Sequence, residues 1–161
     1  MQSTLARFAT LAVGYVLLAA SAGAQAPTRP VGTWRPVANP LAGWHALGPV
    51  LLSVTGVVGF GTGDLNVPEP NTSFVLLAAE PGINGGRASL VFARWFRFEG
   101  AAVVRATALR FWTGSRSYFG GEAQYVISVL PIGVRVGAFR PTSGTPGRRK
   151  TLWLADLSVM Y

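Results

Sequence analysis

The chain has 161 residues, of which 50% are hydrophobic and only 12% charged, and its 14 Lys and Arg against 6 Asp and Glu give a net charge of +8. A soluble domain carries about 25% charged residues, so this composition is poor in the groups that usually meet water. There is no Cys, which excludes a disulfide framework, a lipid-modified cysteine anchor and thiol chemistry.

Met1 to Ala24 has the anatomy of a secretory signal peptide. Arg7 supplies the positive start, Phe8 to Ala20 is apolar apart from Thr10 and Gly14, and Ala22-Gly23-Ala24 offers small residues for cleavage before Gln25. The apolar stretch is short for a span of roughly 20 residues. No twin-Arg pair precedes it, so the general secretory route is expected. The rest of the chain, Gln25 to Tyr161, is expected to be one domain.

Residues 25–40 read as an extended lead with Pro27, Pro30, Pro36 and Pro40, joining a first strand around Gly32 to Val37. Leu41 to Phe60 is apolar, and its scattered glycines argue against a helix; it reads as one long strand or two short ones. Gly61 to Asn71 is a loop with Gly63-Asp64, Pro68 and Pro70. Then come a strand over Thr72–Ala79, a loop over Glu80–Gly86, a strand over Arg87–Phe98, and a tight turn at Glu99-Gly100. A strand over Ala101–Trp112, a loop over Thr113–Arg116, a strand over Ser117–Leu130, a turn at Pro131 and a strand over Ile132–Arg140 follow. A long basic loop over Pro141–Arg149 leads to the last strand, Lys150–Tyr161.

Two strands alternate clearly. Phe119, Gly121, Ala123, Tyr125 and Ile127 share one face, and Tyr118, Gly120, Glu122, Gln124 and Val126 the other. Ile132, Val134, Val136 and Ala138 oppose Gly133, Arg135, Gly137 and Phe139. In Arg87–Phe98 the parity conflicts. Turning the even residues outward exposes Leu90, Phe92, Phe96 and Phe98 but also Arg94, whereas the odd choice crowds the Phe rings inside; the even choice is favoured. No run of the sequence is a membrane-spanning helix after residue 24, and a membrane chain without one must be a closed sheet, because only closure satisfies every backbone group in hydrocarbon. A spanning strand takes about 9–11 residues, so this length suits eight. Seven strands are legible, and an eighth is expected within Gly32 to Val50. Connections roughly alternate long and short from Glu80 onward, as barrels with long outer loops and short inner turns do.

The closing strand has Trp153, Ala155, Leu157, Val159 and Tyr161 on one face, ending on an aromatic ring at the last residue. With the signal peptide and the strand spacing, this pattern resembles the small eight-stranded outer-membrane β-barrel proteins of Gram-negative-type bacteria. The resemblance implies an all-β, antiparallel up-and-down transmembrane barrel over 41–161, with the barrel-assembly machinery as a partner that reads those five residues during biogenesis. Phe is the commoner last residue in that family, so Tyr161 is a mild departure. Strand parity turns Glu122, Arg135, Asp156 and Arg105 inward, and buried charges must pair. These four are therefore expected to form a network in a lumen filled by side chains.

No chemistry is evident. His45 is the one His, no His-x-Ser-Asn-like run of the lipid A-modifying barrels is present, and a single His without Cys builds no metal site. Gly59 to Asp64 lacks the Lys-Ser/Thr ending of a phosphate loop. No catalytic residue, cofactor or metal is expected. Arg148, Arg149 and Lys150 form a basic outer loop, read either as a solvated loop or as one attracted to lipopolysaccharide phosphates on the outer leaflet of an outer membrane or to another polyanion, and nucleic acid is not expected as a partner. The competing class is a secreted, lipocalin-like barrel holding an apolar ligand. It would turn Phe119, Tyr125 and Ile127 inward instead of outward.

Overall fold

The computed structural model describes residues 32–47, 50–65, 69–96, 100–127, 132–142 and 150–160. They form one antiparallel sheet of eight up-and-down strands: β1 (Arg35–Leu47), β2 (Ser53–Gly61), β3 (Ser73–Pro81), β4 (Gly85–Phe96), β5 (Gly100–Phe111), β6 (Ser117–Ile127), β7 (Ile132–Pro141) and β8 (Leu152–Met160). One 3₁₀ turn, Thr113–Ser115, interrupts the connection after β5. No helix among the described residues is long and apolar enough to cross a membrane.

Each strand pairs with the next in sequence. β8 also pairs with β1 through Gly43↔Met160, Trp44↔Val159 and Leu47↔Leu157. The ladders from β3 to β8 run without a break in register. β1 is irregular: its pairing shifts between Asn39 and Gly43 against β2, and between Trp44 and Leu47 against β8. Pro40 lies inside the first shift, and the Asn39 side chain accepts a hydrogen bond from the Leu41 amide at 2.9 Å. Proline cannot donate to a ladder, so a bulge absorbs it.

β1 lies within Gly32 to Val50, the window in which the sequence places an eighth strand, and takes in Arg35 to Pro40 of the lead. Two readings of the sequence change here. The Glu80–Gly86 loop shrinks to Gly82-Ile83-Asn84, because Glu80 and Pro81 end β3 and Gly85 and Gly86 open β4. That short turn is held by its neighbours. Asn84 accepts from the Leu51 amide at 2.7 Å, and the Trp112 indole donates to the Gly82 carbonyl at 3.1 Å. The expected sorting of loop lengths does not hold. The near end, where β1 starts and β8 finishes, carries connections 62–72, 97–99 and 128–131; the far end carries 48–52, 82–84, 112–116 and 142–151. Each end thus has one long connection.

Gly100 shows why the β4–β5 turn needs glycine. Its φ is +124°, and a Cβ there would lie 1.7 Å from the Val126 carbonyl oxygen.

One face of every strand from β2 to β8 is buried, in strict alternation over most of the sheet. The buried side chains stack in three layers. At the near end Val57, Phe74, Leu76, Ala78, Val91, Ala93, Ala101, Val103 and Val126 pack together. At the far end Val50, Leu109 and Phe139 pack with Phe111, Tyr118, Leu152 and Leu154. Polar and charged side chains lie between them. Register rows cross these layers obliquely, as tilted strands require. The row Leu76, Val91, Arg105, Glu122, Gly137, Leu154 starts in one apolar layer and finishes in the other.

Candidate functional site

The middle layer is the one concentration of ionisable side chains on the buried face. It draws on all eight strands: His45 from β1, Ser53 and Thr55 from β2, Glu80 from β3, Arg87 and Ser89 from β4, Arg105 and Thr107 from β5, Glu122 and Gln124 from β6, Arg135 from β7 and Asp156 from β8. Alternation places each of them. Those on β2 to β7 are each two or four residues along the strand from another buried side chain, so the period that builds the apolar layers also aims the charges inward.

Arg135 is the hub, with 1% of its surface exposed. Its Nη2 donates to Asp156 Oδ2 at 2.7 Å and its Nε to Oδ1 at 2.9 Å. Its Nη1 donates to Glu80 Oε2 at 3.0 Å. One guanidinium therefore joins the adjacent strand β8 to β3 on the opposite side, using the planar fork that makes Arg suited to bidentate carboxylates. Arg87 repeats the pattern from the other direction. Its Nη2 donates to Asp156 Oδ2 at 2.9 Å, and its Nη1 stands 3.2 Å from Glu122 Oε1 and 3.7 Å from Glu80 Oε1. Glu122 also accepts from Thr107 at 2.6 Å, and Glu80 from Ser53 at 2.8 Å. His45 Nδ1 sits 3.3 Å from Arg135 Nη2 and its Nε2 3.2 Å from Thr55 Oγ1. Arg135 can only donate, so Nδ1 accepts and Nε2 carries the proton toward Thr55.

The formal charges balance, with Arg87, Arg105 and Arg135 against Glu80, Glu122 and Asp156. Burying charge is tolerable only under such pairing, because an isolated buried ion costs several kcal/mol. Gly137 makes room for it: a Cβ there would stand 2.8 Å from both Glu122 Cγ and Phe139 Cε2.

The four charges singled out in the sequence all lie on the buried face, but they are not equivalent. Arg135 and Asp156 pair directly, and Arg135 Nε lies 3.7 Å from Glu122. Arg105 faces Glu122 in register yet turns to Gln124, to which it hydrogen-bonds, and its Nε has no hydrogen-bond partner among the described residues. Sequence reasoning missed Glu80, Arg87 and His45 as members. Phe74, Leu76, Ala78 and Glu80 share one parity, which would have placed Glu80 inside had the strand been extended by one residue.

Of the closing-strand signature, Trp153, Ala155 and Leu157 are on the exposed face, Trp153 to 77%. Val159 pairs with Ile132 through its backbone. Tyr161 lies outside the described residues, as do Arg148 and Arg149, while Lys150 is exposed at the end of the 142–151 connection.

Ser53 gives its proton to Glu80, and the His45 imidazole meets the Thr55 hydroxyl through Nε2. Ser53 and His45 are almost completely buried. Among the described residues no three acidic or His side chains are grouped to hold a metal ion. The outer surface is the opposite of the interior. The exposed strand residues are apolar across the sheet: Val54 and Phe60, Val75 and Leu77, Leu90, Phe92 and Phe96, Val104, Phe119, Tyr125 and Ile127, Ile132, Val134 and Val136, Trp153 and Leu157. Arg94, Arg110 and Arg140 are the exposed charges on strands β2 to β8 among the described residues, and each lies within two residues of its strand's last residue.

No family model matches the chain, and neither the curated proteins nor the solved structures contain a significant match.

Proposed function

We propose that the protein is an outer-membrane β-barrel of eight strands, closed along the β1–β8 seam, exported by a signal peptide over residues 1–24, with a side-chain-filled lumen and a structural or surface-interaction role. Catalysis forms no part of this reading. The observation that carries it is the sidedness of the strands. An apolar outer wall around a core of ion pairs reverses the arrangement of a water-soluble sheet, whose apolar face is its core. The lipocalin-like alternative needs Phe119, Tyr125 and Ile127 inward, yet they are exposed to 58%, 43% and 42%.

The rims add support. Arg94 is the register partner of Ala102, and from Ala102 to Arg110 β5 rises roughly 20 Å along the membrane normal at about 3.3 Å per residue and about 40° of tilt. A lipid-facing band is about 25 Å tall, so the wall arginines fall where the headgroups begin. Exposed aromatics gather at the same levels, with Phe60, Phe96 and Tyr125 toward the near end and Trp44, Trp112, Phe119 and Trp153 toward the far end. They suit the aromatic girdles of such barrels. In this reading the near end is periplasmic, the far end meets lipopolysaccharide, and Trp153, Ala155, Leu157, Val159 and Tyr161 are the contact for the barrel-assembly machinery.

The test is envelope fractionation of expressing cells, followed by electrophoresis with and without boiling. An outer-membrane band whose mobility changes on heating is expected. Soluble periplasmic or secreted protein without a shift would overturn the reading.

A further inference from the structure

The chain's six acidic residues are distributed unevenly. Glu80, Glu122 and Asp156 are buried in the charged layer. Asp64 and Glu69 are in the 62–72 connection at the near end, and Glu99 falls in the 97–99 connection at that same end, outside the described residues. The far rim holds no acid by sequence, but it carries exposed Arg110, Arg116, Arg140 and Lys150. None of these four has a carboxylate in ion-pair reach among the described residues.

Three of the four are neighbours across the β5–β6–β7 ladder or along the chain, since Arg116 directly precedes Ser117. Arg110 is the register partner of Ser117, and Arg140 of Phe119. The two arginines therefore flank β6 on the exposed face, with Cα atoms roughly 12 Å apart by strand spacing and rise. Arg116, Ser117, Tyr118 and Pro141 line a recess of about 230 Å³, and of these Ser117 is the register partner of Arg110 and Pro141 follows Arg140 in the chain. Its shape is held by hydrogen bonds from the Phe111 amide to the Arg116 carbonyl at 2.9 Å and from the Thr142 amide to the Ser117 carbonyl at 3.0 Å. Below the arginines the wall is apolar, through Phe119, Ala108, Val104 and Val136.

We propose that Arg110, Arg116 and Arg140 form a docking site for the phosphates of a phosphorylated glycolipid in the surrounding outer leaflet, with its acyl chains on the wall below. This rests on the membrane reading and adds a specific partner site to it, on the strands and apart from the 148–150 cluster. The chemistry fits one ligand class. Guanidinium forks bind phosphate oxygens in bidentate fashion, and an apolar surface directly beneath favours an amphiphile over a free anion. The recess sits at the level where headgroups, and not acyl chains, are expected.

The experiment uses the full chain refolded into neutral detergent micelles, with insertion verified by the heat-dependent mobility shift. Binding of fluorescent bisphosphorylated lipid A and of its dephosphorylated counterpart is compared for the wild type, the Arg110→Ala/Arg140→Ala double variant, and Arg94→Ala at the opposite rim. Wild type and Arg94→Ala are expected to bind the phosphorylated lipid equally, the double variant about tenfold or more weakly, and the dephosphorylated lipid is expected to bind no variant selectively. Equal binding by all three proteins, or an equal loss in Arg94→Ala, overturns the site while leaving the barrel intact. A soluble polyphosphate that binds as tightly as the lipid overturns the lipid assignment. Failure of the chain to insert overturns the membrane reading itself.

Discussion

The two faces of the sheet solve opposite problems with the same alternation. The buried face holds three Arg and three carboxylates between apolar layers, and each of Glu80, Glu122, Asp156, Arg87 and Arg135 meets more than one partner. The exposed face confines its charges to the strand ends and is otherwise Val, Leu, Ile, Ala, Gly and aromatic through its middle on β2 to β8. Charge is therefore found where the geometry supplies counter-charge. A protein whose outer wall met water would gain nothing from this arrangement; one whose wall meets lipid requires it.

The comparison can be broken most sharply at its hub. Arg135→Leu removes the charge that joins Asp156 to Glu80 and leaves two buried carboxylates short of a partner. The expected loss is about 3–5 kcal/mol in urea unfolding from lipid vesicles, and a loss below about 1 kcal/mol would show that the ion pairs do not hold the layer together. Val104→Arg places a charge in the middle of the exposed wall. It should cost about 2–4 kcal/mol in a bilayer, whereas indifference to it would mean that this face meets water. Gly137→Ala crowds Glu122 and Phe139 and is expected to cost about 1–3 kcal/mol, and an unchanged midpoint would show that the layer has slack there. Arg105→Met should have the smallest effect, about 1 kcal/mol, because among the described residues that guanidinium hydrogen-bonds only to Gln124 and its Nε has no hydrogen-bond partner. A loss as large as that of Arg135 would make Arg105 a second hub.

Much of this was legible in the residues, and the exceptions have physical causes. From β3 to β8 the period-two pattern gives strand, face and neighbour together, because the register runs without a shift. Arg94 illustrates the limit of parity. It points outward beside Leu90 and Phe92, as the even residues do, and what makes this tolerable is its position near the end of β4. β1 was harder to read, since Pro36 and Pro40 signal a loop and only the bulge between Asn39 and Gly43 lets the strand continue. Glu80 was hidden by its neighbours, because Pro81, Gly82 and the glycines at 85 and 86 read as one long turn. The ladder nevertheless pairs Glu80 with Arg87 and Pro81 with Gly86. His45 joined the charged layer only through the fold, since its place depends on which residues of β1 precede and follow the bulge.

The central claim is that the exposed face of these strands meets lipid. The chain lacks Cys, so single cysteines can be introduced without interference and labelled with an environment-sensitive fluorophore. The most direct measurement scans Ala102, Val103, Val104, Ala106, Val134 and Val136 in vesicles containing brominated lipid. The account predicts strong quenching at Ala102, Val104, Ala106, Val134 and Val136 and weak quenching at Val103. Uniformly weak quenching along both strands, or strong quenching at Val103 with weak quenching at Val104, would contradict it.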